Sequence, residues 1–138
     1  MKSILFDVDG VFLSEERCFD VSAITVEELM TSEGIFLGCG TYIDFENDLN
    51  DKKIQEIRER VLQHDKILNQ LKSLGLNSNW DMLFIVFSIH LIDLAKQLDQ
   101  SHRYEFLNSS TFNEKTLFEM NKHLLHKEID YELSLIHI

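Results

Sequence analysis

The chain has 138 residues, 44% hydrophobic and 27% charged, which is the composition of a single globular domain. Its net charge of -11 argues against nucleic acid as a partner, because phosphate backbones are bound by clustered lysine and arginine. No apolar run approaches the ~20 residues of a membrane span, and no leader peptide is recognised, so a cytoplasmic protein is expected, with Cys18 and Cys39 as free thiols.

The first predicted element is a strand over residues 3–8 that ends in two acids. Side chains alternate along a strand, so Asp7 and Asp9 lie on the same side. They would sit at the carboxyl end of the strand, where open α/β sheets bind ligands, and Gly10 permits the turn that follows. Two acids here suit Mg²⁺, and one of them can act as a nucleophile. The alternative is a plain turn at Asp9-Gly10 with no functional role.

The stretch after this strand is predicted to be irregular over residues 10–21 and then helical over about 23–33. Thr25 and Glu28 have the spacing of a capping box, which marks a helix start. Residues 34–48 are rich in glycine and acids and are predicted to form a loop.

The second half of the chain has a strong helical periodicity. It predicts one amphipathic helix over residues 50–74, of about six turns, which stops at Gly75. A helix over 80–98 follows a short connection, so the two should form an αα-hairpin. Residues 99–112 are predicted to be loop, and a last helix is expected over 113–127.

Several side chains on these helices allow a functional and a structural interpretation. Trp80, Phe84 and Phe87 could line a substrate pocket, but aromatic residues at helical spacing more often form core. His123 and His126 could share a metal, but no third ligand follows, which favours a solvated helix face.

Three further assignments rest on spacing alone. His64 and His90 are assigned to helix faces. On the last helix, the inward side chains are predicted to be Leu117, Phe118, Leu124 and Leu125.

The run Asp7-Val8-Asp9-Gly10-Val11, placed after an apolar strand, resembles the first motif of the haloacid dehalogenase (HAD) superfamily. The order of strand, irregular stretch and helical block is similar to that of its capped phosphoglycolate phosphatase and β-phosphoglucomutase type. The resemblance implies an α/β fold, a Rossmann-type core with a helical cap. Residues 1–14 would then hold the first core strand and the start of a mobile flap. Residues 15–138 would hold the flap and the cap, so that this part of the protein is mostly α.

The resemblance also implies a chemistry. Asp7 would be the nucleophile that forms an aspartyl-phosphate, and Asp9 the general acid/base. Mg²⁺ would be held by the Asp7 carboxylate and the Asp9 backbone carbonyl, while Gly10 and Val11 would bring backbone close to the phosphate. The implied activity is a Mg²⁺-dependent phosphohydrolase acting on a small phosphorylated metabolite.

The family's remaining motifs are not found in a convincing context. These are a Ser or Thr, a Lys and an acidic pair. We therefore expect an N-terminal fragment, inactive alone, whose missing motifs lie beyond Ile138. Two alternatives stay open: a phosphomutase of the same superfamily, and a non-enzymatic, acidic helical module that binds a protein partner.

Overall fold

The structure, a computed structural model, describes residues 14–31, 43–45, 47, 49–109 and 113–124. Within these ranges it contains six helices and no strand, which confirms the expectation of a mostly helical chain. The helices are α1 (Glu15–Thr31), α2 (Asp51–Val61), α3 (Lys66–Ser73), α4 (Asn79–Ala95), α5 (Gln100–Leu107) and α6 (Glu114–His123). The strand predicted over 3–8 lies outside the described residues.

Helix α1 begins well before the predicted start, so the irregular connection predicted over 10–21 is wrong from Glu15 onward. Its apolar side is set by buried residues at four-, three- and four-residue spacing: Phe19, Ala23, Val26 and Met30. This pattern continues a helix across Thr25 and outweighs the capping signal. The Thr25 hydroxyl instead donates to the Val21 carbonyl oxygen at 2.9 Å, inside the helix.

The long helix predicted over 50–74 is broken into α2 and α3 by a turn at residues 62–65. In one straight helix, Leu62 and Ile67 would not share the buried face that carries Ile57. Leu62, for example, would be rotated about 140° around the helix axis from Ile57. The break lets both side chains reach the core, where they are fully buried. His64, predicted on a helix face, therefore lies in this turn.

The start and the end of the α3–α4 connection follow the sequence signals. Gly75 has a φ of +86°, and its N–H donates to the Lys72 carbonyl while that of Leu76 donates to Leu71. This Schellman motif ends α3 as predicted. Helix α4 starts at the cap Ser78, whose hydroxyl accepts from the Asp81 N–H at 3.3 Å.

The last part of the chain departs from the prediction in two ways. Residues 100–107 form α5, although a loop was predicted over 99–112. The Asp99 carboxylate caps α5 by accepting from the N–H groups of Ser101 and His102. On α6, Leu117 is buried as predicted, but Phe118 is 45% exposed. Leu125 lies outside the described ranges.

Most of the core lies between α1, α2, α3 and α4, and Leu117 and Met120 of α6 add to it. Helix α1 packs against α2 and α4, α3 packs against α4, and α5 and α6 pack against each other. Among the residues that the structure describes, no helix combines the length and hydropathy that crossing a bilayer requires.

Candidate functional site

The residues predicted to carry chemistry, Asp7, Asp9, Gly10 and Val11, all lie outside the described residues. The first described residue is Ser14, which follows Val11 by three positions and directly precedes α1. Two concave surfaces flank this end of α1, and Arg17 lines both of them. We call them the polar pocket and the apolar groove.

The polar pocket lies between the first turns of α1 and the α2–α3 turn, with a volume of about 460 Å³. Charged side chains dominate its lining: Arg17, Asp20, Asp51, Arg58, Glu59 and Asp65. Four acids and two guanidinium groups leave the lining with a net negative charge at neutral pH.

Arg58 is the centre of this pocket. Its Nε and Nη2 donate to the two carboxylate oxygens of Asp65 at 3.1 and 2.8 Å, which is the bidentate geometry of a strong ion pair. Its Nη1 lies 3.2 Å from the Asp20 carboxylate and 2.5 Å from that of Glu16. The Asp65 hydrogen bonds, with those of Glu16 and Asp20, hold the pKa of Arg58 above its usual value, against a smaller opposing effect of burial.

Arg58 and Lys72 also lie over the ring of Phe19, with the cationic groups 5.8 and 4.6 Å from its centroid. Lys72 forms an ion pair with Glu15 at 2.7 Å. The acidic start of α1 is thus attached to α2 and α3 by two cations and one buried aromatic ring. Glu15 and Glu16, which fall in the stretch predicted to be irregular over residues 10–21, lie instead in the first turn of α1.

The turn beside the pocket has an uncommon backbone. Gln63, His64 and Asp65 have φ values of 51°, 54° and 61°, so three consecutive non-glycine residues are left-handed. Each such residue costs about 1–2 kcal/mol relative to a right-handed one. The Arg58–Asp65 pair holds the last of the three residues in place, and the burial of Leu62 and Ile67 offsets the cost.

These contacts define what the polar pocket can do. Arg17 lies 3.4 Å from Asp20 and 3.6 Å from Asp51, so both guanidinium groups of the pocket are already paired with carboxylates. Among the described residues, no group of three or more His, Cys, Asp or Glu side chains is arranged to hold a metal ion. The pocket is therefore an ion-pair network that fixes α1 against the α2–α3 turn.

The apolar groove lies on the other side of α1, against the start of α4, with a volume of about 570 Å³. Val21 and Trp80 line it and are 61% and 81% exposed. Phe84, one turn further along α4, is 67% exposed. The prediction that Trp80 and Phe84 belong to the core is therefore wrong; α4 instead buries the side that carries Met82, Val86 and Leu94.

A pair of histidines was missed by the sequence analysis. His102 of α5 and His123 of α6 stack with ring centroids 3.7 Å apart, although they are far apart in the sequence. The His102 ring hydrogen-bonds the Asp99 carboxylate, which lowers the pKa of Asp99. Single-sequence spacing reveals only partners on one helix, such as His126, which lies outside the described residues.

His90, assigned to a helix face, is completely buried in α4. Its Nε2 lies 3.0 Å from the Val61 carbonyl oxygen, at the end of α2. Burial lowers the pKa of His90, against the opposing effects of the Val61 hydrogen bond and the Asp93 charge. A neutral His90 that donates to Val61 thus joins α4 to the point where the long helix is interrupted.

The described part of the chain is an all-helical unit. The chain is similar to a solved X-ray structure, Northeast Structural Genomics Consortium target ZR25, at 55% sequence identity and with a TM-score of 0.81. The match covers 99% of this chain but 36% of that one, so the chain spans about a third of the length of its solved relative. No family model and no curated protein matches.

Proposed function

We propose that this chain is the N-terminal part of a Mg²⁺-dependent phosphohydrolase of the HAD superfamily, with an α/β core and a helical cap. One observation carries the proposal: the Asp7-Val8-Asp9-Gly10-Val11 motif is followed directly by an all-helical unit that begins at Glu15. The covalent chain keeps Val11 within about 11 Å of Ser14. Ser14 itself lines the apolar groove, so the chain that carries the motif leads directly to that surface.

The proposed reaction has two steps. A carboxylate oxygen of Asp7 attacks the phosphorus of the substrate, the bond from phosphorus to the leaving oxygen breaks, and Asp9 gives its proton to that oxygen. Water then attacks the phosphorus of the aspartyl-phosphate and gives a proton to Asp9. Inorganic phosphate leaves and the Asp7 carboxylate is restored.

The donor groups of the motif suit a magnesium ion. Carboxylate and carbonyl oxygens are the ligands that Mg²⁺ prefers, and Asp7 and Asp9 supply both kinds. The bound ion would offset the repulsion between the Asp7 carboxylate and the phosphate. Gly10 and Val11 would contribute backbone N–H groups to the phosphate.

The length of the solved relative supports the assignment to a larger protein. The match covers 36% of that relative's chain, so the remaining 64% lies outside the region that this chain matches. We propose that the Ser or Thr, the Lys and the acidic pair that complete the site belong to such a further region. The 138-residue chain alone is then inactive.

The proposal is tested on the full-length protein that carries this sequence, with p-nitrophenyl phosphate and Mg²⁺. Asp7→Asn removes the nucleophile, and we expect it to lower kcat at least about 1000-fold, as loss of a group at the reacting centre does in other enzymes. The wild type is also incubated with substrate labelled in its phosphoryl group and quenched with acid. We expect the label to remain bound to the protein as aspartyl-phosphate, and hydroxylamine to release it. Asp81→Asn, at an exposed position in the first turn of α4 outside both concave surfaces, is the matched control and should retain activity.

Two results would decide for the alternatives. Full activity of the Asp7→Asn protein, or no activity in the wild type, would favour the acidic helical binding module. Transfer of the phosphoryl group to a second sugar phosphate, faster than to water, would identify a phosphomutase.

A further inference from the structure

We propose that the outer side of α4 is a docking surface for the polypeptide that, in the longer solved relative, lies outside the region matched by this chain. The surface consists of Trp80, Phe84 and Ile92 on α4, with Val21 of α1 beside them. The proposal is independent of the phosphohydrolase assignment, because no step of it uses Asp7 or Asp9.

The first argument is the composition of α4. Apolar residues surround this helix on all sides, a pattern typical of helices that are covered all round. Its inner side is covered, since Met82, Val86, Leu91 and Leu94 are buried. On the outer side, Trp80, Phe84 and Ile92 are 81%, 67% and 53% exposed. Within the described ranges, these three apolar side chains of α4 are left uncovered.

The second argument is the geometry of the exposed residues. Trp80, Phe84, Ser88 and Ile92 are spaced four residues apart and form one ridge along α4, about 18 Å long. Ridges of this kind pack into the grooves of a neighbouring helix in the commonest class of helix contact. Val21 continues the apolar surface from Trp80 across the groove onto α1. Three exposed apolar side chains on one ridge, continued by Val21 on α1, have the composition expected of an interaction surface.

The third argument identifies the occupant. The solved relative matches 99% of this chain with 36% of its own length, so nearly two thirds of its polypeptide is attached to this fold. An attached partner has an effective concentration in the millimolar range, which a second copy of the chain does not reach in solution. The attached polypeptide is therefore favoured over self-association as the cover of the α4 ridge.

The test compares the 138-residue chain with a chimera in which it replaces the matched region of the solved relative. Hydroxyl-radical footprinting with mass spectrometry gives the oxidation rate of each side chain. We expect the rates of Trp80 and Phe84 to fall about tenfold in the chimera, the ratio between an 81% exposed and a buried side chain. Tyr104 and Leu107 of α5, 70% and 60% exposed, are the matched controls and should keep their rates.

Three results would overturn the proposal. Equal oxidation rates of Trp80 and Phe84 in both proteins would mean that the attached polypeptide leaves the ridge uncovered. Protection that appears in the 138-residue chain as its concentration rises would identify a second copy as the occupant.

If the chimera does not fold, the test is made on the intact relative. One variant has serine at the position aligned with Phe84, and the control variant has serine at the position aligned with Leu107. The proposal requires a larger fall in Tm for the first variant, and equal falls would contradict it.

Discussion

At the scale of single residues, two polar side chains hold the helices in register. Arg58 is 15% exposed and contacts three carboxylates, those of Asp65, Asp20 and Glu16. The network is partly buried, because Arg58 and Asp20 are largely covered, so removing the cation costs more than losing an exposed pair.

We expect Arg58→Met to lower the free energy of unfolding by about 2–4 kcal/mol. Arg58→Lys should recover only part of this, because lysine cannot bind Asp65 in bidentate fashion. Urea unfolding measures both variants. The control is Lys52→Met, since Lys52 is 87% exposed and its 3.8 Å pair with Glu56 contributes less than about 1 kcal/mol. Equal losses for Arg58→Met and Lys52→Met would contradict the argument.

The buried His90 should make the stability of the protein depend on pH. Its pKa is lowered in the folded protein, whereas the unfolded chain takes up the proton near the ordinary value of 6.5. Below that pH the unfolded state binds more protons, so stability is complete above about pH 6.5 and falls as the pH decreases, by up to about 1.4 kcal/mol per unit.

Urea titrations at several pH values between 5 and 7.5 should reveal this slope in the wild type. His90→Gln keeps a donor for the Val61 carbonyl but has no titrating ring, so it should have a shallower slope. Identical slopes for the two proteins would assign the pH effect to other groups.

At the scale of elements, the interruption between α2 and α3 is the feature that propensity alone does not predict. Ile57, Val61, Leu68 and Leu71 follow one helical line, and the sequence analysis extended it through residues 62–65. Leu62 and Ile67 lie off that line, and in retrospect they are the signal that the helix must break. Burying both side chains, at about 1.5–3 kcal/mol each, offsets the strain of three left-handed residues at about 1–2 kcal/mol each, and the Arg58–Asp65 pair adds to the stabilisation.

His64→Gly tests this turn through the sign of its effect. His64 is exposed and left-handed, so glycine relieves backbone strain, and we expect a gain of about 0.5–1 kcal/mol in the free energy of unfolding. In a continuous helix the same change would cost about 0.3–0.6 kcal/mol, the difference in helix propensity between glycine and an ordinary residue. Gln55→Gly, at an exposed position within α2, is the control and should lose that amount. A loss of unfolding free energy in both variants would contradict the interruption between α2 and α3.

At the scale of the whole molecule, the described helices contribute unequally to the buried core. Helices α1 to α4 share that core, and α6 adds Leu117 and Met120, whereas α5 has no buried residue. Local opening is easiest where few apolar contacts must be broken. Helix α5, which stacks His102 on His123 of α6, is therefore the element expected to open first.

Amide hydrogen exchange followed by mass spectrometry provides the measurement. We expect peptides from α5 to exchange at least about tenfold faster than those from α1 and α4, equivalent to a difference of 1.4 kcal/mol in opening free energy. Peptides from α2, on the shared core, serve as the internal reference. Equal protection of α5 and α1 would mean that the described helices unfold as one cooperative unit.

Local signals in the sequence were sufficient for several parts of this protein. They predicted the helical class, the start of α4 near Ser78 and the end of α3 at Gly75, because caps and apolar periodicity act within a few residues. They also single out Asp7 and Asp9 as a chemical pair, a prediction that lies outside the described residues. The α5 helix was missed because it has no buried apolar side, and its cap at Asp99 was the available signal.

The tertiary structure decided what depends on contacts between distant residues. Which side of α4 is buried, and so why Trp80 and Phe84 face outward, follows from the packing of α1 against that helix. The break at residues 62–65 likewise depends on burying Leu62 and Ile67 together and on the Arg58–Asp65 pair. The sequence by itself determined the helical class and the helix ends at Gly75 and Ser78, since these depend on neighbouring residues; a chemical role for Asp7 and Asp9 stays a prediction. Burial and ion pairing depend on the whole fold, so only the tertiary structure could assign them.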